Sequence, residues 1–349
     1  MAAATAAVSP DDLATLIYTS GTTGAPKGVE LTHRNIMAMC AALTEALELQ
    51  RHQRAISWLP VAHIAERLCT HYIATRLAWS VTCLSDPRAI ATALPDVRPQ
   101  LFFSLPRLWE KLRASIVARY GDDPDGPAAL ASVGLGATTS AVSGAAPCPP
   151  EVVAFWHRLG LPLCEVYGLS ESTGVATANS PRTTRAGTAG RQLPGVEVAL
   201  SEAGEVLVRG PVVMRGYRNR PDATAEALDA DGWLHSGDIG VFDGDGYLRI
   251  VDRIKELIIS AAGKNMSPAN IEATIKSAGA VVGCVCVIGD ARPYNVALVT
   301  LDPEAAATVD DAQAAVAAQI DRANEQLARV EQIKRFVVLP AEWPPAATS

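Results

Sequence analysis

The stretch from Tyr18 to Val29, YTSGTTGAPKGV, constrains the fold of this chain more than any other. It is dense in glycine and hydroxyl side chains and contains one lysine, Lys27. Ahead of it, residues 13–17 (LATLI) have the character of a short buried strand. Behind it, Thr32 is a candidate N-cap for a helix. Apolar residues then recur at helical spacing, at Ile36, Met39, Cys40, Leu43 and Leu47.

A loop of this composition between a strand and a helix predicts a phosphate site. Glycines let successive backbone N–H groups point at one place, hydroxyl groups add donors, and Lys27 adds a mobile positive charge. It is not a Walker A loop, because Lys27 lies between Pro26 and Gly28 instead of following a glycine and preceding Ser or Thr. The alternative is an ordinary solvated turn, but the strand and the lysine favour phosphate binding.

This stretch resembles the phosphate loop of the acyl-adenylate-forming enzymes, which include acyl-CoA synthetases, luciferases and the adenylation domains of peptide synthetases. The resemblance implies that the loop holds the β- and γ-phosphates of ATP. The residues concerned are Thr19, Ser20, Gly21, Thr22, Thr23, Gly24 and Lys27.

A second motif, CEVYGLSES, runs from Cys164 to Ser172 and follows the pattern of a strand that ends at Gly168. Tyr167 offers a ring face to a base, Ser170 offers a hydroxyl to a phosphate, and Glu171 is the kind of oxygen ligand that Mg²⁺ takes beside nucleotide phosphates. The matching family motif usually has Thr at the position of Ser170, so the hydroxyl is kept. The alternative is a buried tyrosine followed by a helix-capping pair.

Three further segments correspond to the rest of a nucleotide site in the family. The small residues Gly144, Ala145 and Ala146 would let a flat adenine ring approach the backbone. Asp238 would accept hydrogen bonds from both ribose hydroxyls, and Arg253 would contact the ribose. Without the resemblance these segments are an ordinary strand-to-helix turn, a turn aspartate and a charged linker.

Two positions relate to domain rotation and to the thiol acceptor. Lys255 corresponds to the hinge residue about which the C-terminal domain of the family rotates between half-reactions. Gly263 lies in a loop, LIISAAGKNMSPANIE, that resembles the lining of the thiol tunnel. The family usually has Gly-Gly-Lys where this chain has Ala262, Gly263 and Lys264, and the methyl group of Ala262 could either crowd the pantetheine arm or be tolerated.

The segment LPVAHIAERL is similar to the corresponding segment of long-chain acyl-CoA synthetases. His63 and Glu66 share one helical face if a helix begins here. The resemblance implies that His63 lies beside the acyl carboxylate; the alternative is a packed core histidine. Some long-chain members have a gating tryptophan where this chain has Arg67, so that gate is not carried over. Residues 97–116, a strand and an amphipathic helix, resemble the same branch.

The implied fold class is α/β, with mainly parallel sheet layers and a small β subdomain followed by a small α+β domain. The expected boundaries are 1–252 for the AMP-binding domain and 253–349 for the hinge and C-terminal domain. We expect a loop at 121–127. In the C-terminal domain we expect strands at 281–288, 295–301 and 333–339 and a helix at about 310–330.

Both ends of the family pattern are missing from the sequence. Only Met1 to Ile17 precede the phosphate loop, where members carry a sizeable subdomain, and no residue after Lys334 matches the lysine that serves adenylation. We therefore expect a truncated chain with severely weakened adenylation.

Composition excludes several classes of function. The chain has 349 residues, a net charge of −7 and a pI near 5.4, which does not favour nucleic-acid binding. Its 7 cysteines show no zinc-binding pattern, and we expect reduced thiols in a cytoplasmic protein. No secretory signal peptide or membrane span is expected. Peripheral membrane contact through a lipid substrate and the oligomeric state are left open.

The resemblance implies a ligase that uses ATP, Mg²⁺ and CoA. A fatty carboxylate attacks ATP to give acyl-adenylate and pyrophosphate, and the thiol of CoA then displaces AMP. Two alternatives are left open: a sibling enzyme that loads a carrier protein, and a non-catalytic remnant that binds nucleotide.

Overall fold

The computed structural model describes residues 7–19, 26–261 and 264–340, except the side chain of Glu304. The chain forms two compact units. The first comprises Met1–Ser236 and Gly240–Ile250, and the second comprises Gly237–Ile239 and Val251–Ser349.

Strands and helices are interspersed along the described residues, in agreement with the predicted α/β class. The strands are β1 (Leu13–Thr19), β2 (Lys27–Thr32), β3 (Arg54–Ser57), β4 (Ser80–Cys83), β5 (Leu101–Ser104), β6 (Ser140–Ser143), β7 (Leu163–Tyr167), β8 (Thr177–Ala178), β9 (Arg191–Gln192), β10 (Glu197–Leu200), β11 (Glu205–Arg209), β12 (Gly216–Tyr217), β13 (Leu234–Phe242), β14 (Leu248–Arg253), β15 (Ile258–Ile259), β16 (Asn265–Met266), β17 (Val282–Ile288), β18 (Asn295–Leu301) and β19 (Ile333–Val338). The α-helices are α1 (His33–Ala46), α2 (Ile64–Glu66), α3 (Ile73–Leu77), α4 (Ile90–Val97), α5 (Pro106–Tyr120), α6 (Gly126–Ser132), α7 (Pro150–Arg158), α8 (Pro221–Ala227), α9 (Pro268–Ser277), α10 (Pro303–Ala306) and α11 (Ala312–Gln326).

The phosphate-loop stretch is the tip of an antiparallel hairpin. β1 pairs with β2 so that Thr19 lies opposite Lys27, and β12 pairs with the other edge of β2. The predicted strand at 13–17 is confirmed, but it is half-buried, with only Ile17 fully covered. Lys27 was expected in the loop and instead begins β2, because backbone pairing with β1 continues to that residue.

Helix α1 follows the hairpin as the sequence predicts. The Thr32 hydroxyl accepts a hydrogen bond from the Asn35 N–H, and the Asn35 side chain accepts one from the Thr32 N–H. This reciprocal cap satisfies backbone groups that the helix leaves unpaired. The five apolar positions predicted to face the core, Ile36, Met39, Cys40, Leu43 and Leu47, are all buried.

A mixed five-stranded sheet has the order β5-β6-β7-β8-β9. Strands β5, β6 and β7 are parallel, and β8 and β9 continue the sheet antiparallel. Helices α5 and α7 pack through Trp109 and Trp156, whose rings meet edge to face with centroids 5.2 Å apart. Because β6 and β7 are parallel neighbours, their carboxyl ends bring the segments at 143–147 and 168–172 to one edge of the sheet.

Two local predictions in this unit are wrong. His63 does not lie on a helical face with Glu66; it is the N-cap of α2, and its Nδ1 accepts the Ala65 N–H at 3.2 Å. The loop expected at 121–127 ends earlier, because α6 begins at Gly126 with Asp125 as its N-cap.

The predicted β subdomain is present as a four-stranded sheet of order β10-β11-β13-β14. The hairpin between β10 and β11 pairs Glu197 with Arg209, and their side chains form an ion pair at 2.6 Å.

In the second unit, β17, β18 and β19 form a sheet in which β17 is antiparallel and β19 parallel to β18. Helices α9 and α11 contribute Ile271, Ile275, Val316 and Ala323 to its core. The three predicted strands are confirmed to within a residue at each end. The predicted helix is shorter than expected, since α11 covers only Ala312–Gln326. None of the helices in the described part of the chain combines the length and the apolarity needed to cross a bilayer.

Candidate active site

Lys27 and Glu171 both contact one aromatic side chain, that of Tyr217, at its ring face and at its hydroxyl. The Lys27 Nζ lies over the Tyr217 ring, 4.8 Å from its centroid. The Tyr217 hydroxyl donates a hydrogen bond to Glu171 Oε1 at 2.7 Å. Burial and the negative charge of Glu171 raise the pKa of Tyr217 well above its ordinary value, so the phenol stays a neutral donor. The structure thus brings together two residues that the sequence assigned to phosphate and metal.

The phosphate loop itself lies largely outside the described residues. Ser20, Gly21, Thr22, Thr23 and Gly24 belong to that part of the chain, and their roles stay predictions. Thr19 is described: it ends β1, and its hydroxyl lies 3.4 Å from the Lys27 carbonyl oxygen as a donor.

Glu171 occupies a short 3₁₀ turn, Ser170–Ser172, that directly follows the end of β7. The turn is closed by Ser172, whose Oγ accepts the Leu169 N–H at 3.0 Å. At Gly168, a Cβ atom would lie 2.5 Å from the Val175 Cα, so only glycine lets the chain pass there. Ser170 begins the turn and is half-buried.

The donor set fits magnesium held jointly with a nucleotide. Within the described ranges, no cluster of three or more His, Cys, Asp or Glu residues is arranged to hold a metal. Glu171 would therefore act as a single carboxylate ligand, and Mg²⁺ is often bound by one or two carboxylates together with substrate phosphates and water. A site that gains its remaining ligands from ATP agrees with this geometry.

The turn after β6 carries the three small residues that the sequence assigns to adenine, Gly144, Ala145 and Ala146. A Cβ atom on Gly144 would lie 3.0 Å from Val166 Cγ2 and 3.2 Å from the Phe103 ring, so the position is tightly packed against side chains of β7 and β5. Ala145 adopts a left-handed conformation with φ of 66°, a local strain that is typical of functional turns. Ala145 and Ala146 are exposed. Tyr167 ends the neighbouring strand β7, and its backbone carbonyl accepts the Ala176 N–H at 2.7 Å.

Glu165 is a buried acid of the second motif that the sequence analysis did not single out. Its carboxylate accepts hydrogen bonds from the Cys148 N–H at 3.1 Å and the Gly187 N–H at 3.3 Å. Burial raises the pKa of Glu165 to about 7, although these N–H donors act in the opposite direction. It fixes the end of the turn that carries Gly144 to Ala146. The available sequence signal was an acid within an otherwise apolar strand.

In the second unit, Asp238 and Arg253 form an ion pair. The Arg253 Nε lies 3.4 Å from Asp238 Oδ1, and the two side chains are 51% and 6% exposed. Gly237, with φ of 74°, precedes the acid, and its carbonyl accepts the Ile254 N–H at 2.8 Å. The pair predicted to bind ribose is therefore assembled within this unit.

Lys255 is exposed and lies in a turn directly after β14, where the Glu256 and Leu257 N–H groups both bond to the Arg253 carbonyl. A hinge role for it stays a prediction. Ala262 and Gly263 of the predicted thiol loop lie outside the described residues. His63 is exposed on the surface of the first unit and caps α2, so its place beside an acyl carboxylate also stays a prediction.

Comparisons with known proteins identify the family to which the chain belongs. The family model described as AMP-binding enzyme matches residues 2–218, and the one described as AMP-binding enzyme C-terminal domain matches residues 255–348. Over 97% of its length, the chain is 45% identical to a Mycobacterium tuberculosis protein provisionally named fatty-acid–CoA ligase fadD11, of which it covers 70%. It is 33% identical to the long-chain-fatty-acid–CoA ligase FadD15 of Mycobacterium bovis, over 97% of this chain and 65% of that protein.

A solved structure, ATP-bound MatB from Rhodopseudomonas palustris, is similar with a TM-score of 0.79 and 26% identity. The match covers 97% of this chain and 66% of MatB. The chain therefore spans about two thirds of the length of the relatives that it matches. The match to fadD11 extends over 397 residues, more than the 349 of this chain, so the relative has additional residues inside the matched region.

Proposed function

Since the chain belongs to the AMP-binding enzyme family, we propose that it activates a long-chain fatty acid with ATP and transfers the acyl group to CoA. The observation that carries this proposal is the contact of both Lys27 and Glu171 with Tyr217, at its ring face and its hydroxyl. It presents a positive and a negative group at one place, as a complex of polyphosphate and divalent metal requires. The names of the relatives support the fatty acid and CoA as substrates.

The reaction has two steps. A carboxylate oxygen of the fatty acid attacks the α-phosphorus of ATP, the bond to the bridging oxygen breaks, and pyrophosphate leaves with the electron pair. The thiolate of CoA then attacks the acyl carbon, and AMP leaves. Negative charge builds on the α-phosphate and on pyrophosphate in the first transition state, so fixed donors and cations near these groups lower its free energy most.

Lys27, Ser170 and Glu171 have distinct roles in binding the phosphates and the metal. The ammonium of Lys27 binds the β- and γ-phosphates with the loop residues Thr19 to Gly24. Ser170 donates to a phosphate, and Glu171 would hold Mg²⁺. When bound, the metal neutralises charge on the phosphates during their departure.

The remaining assignments concern the nucleoside and the acceptor. Gly144 to Ala146, Tyr167 and Gly168 bind adenine. In the second unit, Asp238 and Arg253 bind the ribose. Lys255 is the hinge between half-reactions, Gly263 borders the thiol of CoA, and His63 lies on the side of the acyl carboxylate.

The test is an assay of pyrophosphate release and of thioester product with palmitate, ATP, Mg²⁺ and CoA. We expect palmitoyl-CoA and pyrophosphate that both require ATP, with Glu171→Gln as the inactive control. Transfer of palmitate to an acyl carrier protein but not to CoA would instead assign the carrier-loading activity. Binding of ATP without any acyl-adenylate, detected by trapping with hydroxylamine, would show a nucleotide-binding remnant and overturn the proposal.

A further inference from the structure

We propose that Tyr217 is a positioning residue that holds Glu171 for the metal and Lys27 for the phosphates in one fixed relation. The inference deepens the proposed function and rests on it, because ATP and Mg²⁺ are the ligands of the two charged groups. Tyr217 contacts each of them directly, through its hydroxyl and its ring face. Its proposed role is exerted through the two residues that it orients.

The backbone of Tyr217 is fixed by strand pairing and by one threonine. β12 pairs with β2 so that Tyr217 lies opposite Val29 and Gly216 opposite Glu30. The Tyr217 N–H donates to Thr224 Oγ1 at 2.8 Å. A Cβ atom on Gly216 would lie 2.7 Å from the Thr224 side chain, so glycine is required for this approach. Since Lys27 begins β2 and Tyr217 pairs with Val29 of the same strand, the sheet fixes the backbones of both residues relative to each other.

The segment leading to Tyr217 is also tied to the turn that carries Glu171. The Met214 N–H donates to the Glu171 carbonyl at 2.8 Å, and the fully buried Thr173 hydroxyl donates to the Val212 carbonyl at 2.5 Å. On the other side, the Asn35 amide donates to the carbonyls of Pro211 and Val213 at 2.7 and 2.8 Å. The same segment therefore anchors the tyrosine and the carboxylate that it contacts.

A neutral aromatic side chain that contacts two opposite charges leaves both of them able to bind a ligand. The phenol donates to one carboxylate oxygen and orients it without neutralising the carboxylate, whereas a cation would compete with Mg²⁺. The ring face attracts the ammonium through its quadrupole, and this attraction is weak enough for a phosphate to replace it. Among the residues that the structure describes, no carboxylate lies within 4.0 Å of the Lys27 ammonium, so no direct ion pair fixes it instead.

Calorimetric titration with ATP, in Mg²⁺ and in EDTA, tests this role on the whole chain. For Tyr217→Phe, which loses the hydroxyl but keeps the ring, we expect ATP affinity in Mg²⁺ to fall about tenfold, because a hydrogen bond to a charged group is lost. Affinity in EDTA should change less than about twofold, because the ring face under Lys27 remains. For Tyr217→Leu, which also removes the ring, affinity should fall in both media.

Tyr247→Phe is the matched control. In the wild type, the Tyr247 hydroxyl donates to the Thr183 carbonyl at 2.8 Å, and Arg185 and Arg191 lie over the Tyr247 ring. The substitution therefore removes a hydroxyl hydrogen bond and keeps a ring that contacts cations, at a position other than Tyr217. It should bind ATP as the wild type does in both media. Equal losses for Tyr217→Phe in Mg²⁺ and EDTA, or no loss in either, would overturn the role of Tyr217. A wild-type chain that binds no ATP would overturn the proposed function, and this inference with it.

Discussion

Two acids that the sequence assigns to nucleotide binding are held in contrasting ways. In the first unit, Glu171 accepts a hydrogen bond from the neutral phenol of Tyr217. In the second unit, the buried Asp238 has the guanidinium of Arg253 at 3.4 Å. A carboxylate bonded to a neutral donor keeps its charge for a metal ion. A carboxylate beside a cation is already compensated, which suits it to accept hydrogen bonds from neutral hydroxyl groups such as those of ribose. The contrast supports the proposed roles of Glu171 in metal binding and of Asp238 in ribose binding.

The largest expected effect is that of Glu171→Gln. The amide keeps the size of the side chain but loses the charge that Mg²⁺ requires, so pyrophosphate release should fall about 100-fold or more, the range seen when one group that stabilises transition-state charge is removed. Glu197→Gln, at an exposed ion pair with Arg209, is the control and should keep wild-type release. Equal activity of both variants would show that the charge of Glu171 is not needed for pyrophosphate release. The distinction between Glu171 and Asp238 would then be lost.

Glu165 sharpens the comparison as a third acid, which accepts backbone N–H bonds from Cys148 and Gly187. Its pKa rises from 4.5 to about 7 in the folded chain, so folding favours the protonated form. The resulting stability is full below pH 4.5 and is lost as the pH rises through about 7. Relative to Glu165→Gln, the wild type should lose on the order of 3 kcal/mol of unfolding free energy across this range, since one pKa unit is about 1.4 kcal/mol.

Urea denaturation of both proteins at about pH 5 and about pH 8 measures this difference. Glu151→Gln, an exposed acid at the start of α7, is the control and should follow the wild type at both pH values. Parallel pH dependence of the wild type and Glu165→Gln would show that the buried carboxyl is not protonated on folding.

A smaller effect is expected for Asp238→Asn, measured with AMP, which carries the ribose but no β- or γ-phosphate. AMP affinity should fall about tenfold, because a charged acceptor of hydrogen bonds is lost. The loss should be the same in Mg²⁺ and in EDTA. Glu171→Gln should leave AMP affinity unchanged. If the loss for Asp238→Asn depended on Mg²⁺, the two acids would not differ as proposed.

The smallest effect is expected for Arg253→Lys. The substitution keeps the positive charge, and the side chain of Arg253 is 51% exposed, so the cost in AMP affinity should be about 1 kcal/mol or less. Arg253→Gln should cost more, because Asp238 would lose the counter-charge of Arg253. A greater loss for the lysine variant than for the glutamine variant would contradict a role based on charge.

The sequence predicted those parts that depend on local pattern. The end of β7 next to Gly168, the cap of α1 at Thr32 and the core positions of α1 follow from hydrophobic spacing and capping residues, and all are confirmed. Lys27 was misplaced in a loop, because the strand it begins is defined by pairing with β1 and β12. His63 was misplaced on a helical face, because its ring caps the helix instead.

The contacts that organise the site are long-range and could not be predicted. Tyr217 lies far along the chain from both Lys27 and Glu171, and only the folding of β12 onto β2 brings its ring to them. Glu165 likewise finds its donors at Cys148 and Gly187 only after β6 and β7 have paired. Motifs identified the charged residues, but not the side chains that orient them.

The most direct test of the central claim is a paired titration of the wild type and Glu171→Gln with ATP, in Mg²⁺ and in EDTA. The account predicts that Mg²⁺ strengthens ATP binding to the wild type but not to Glu171→Gln, and that the two proteins bind equally in EDTA. An equal gain from Mg²⁺ in both proteins would show that Glu171 does not hold the metal and would contradict the account.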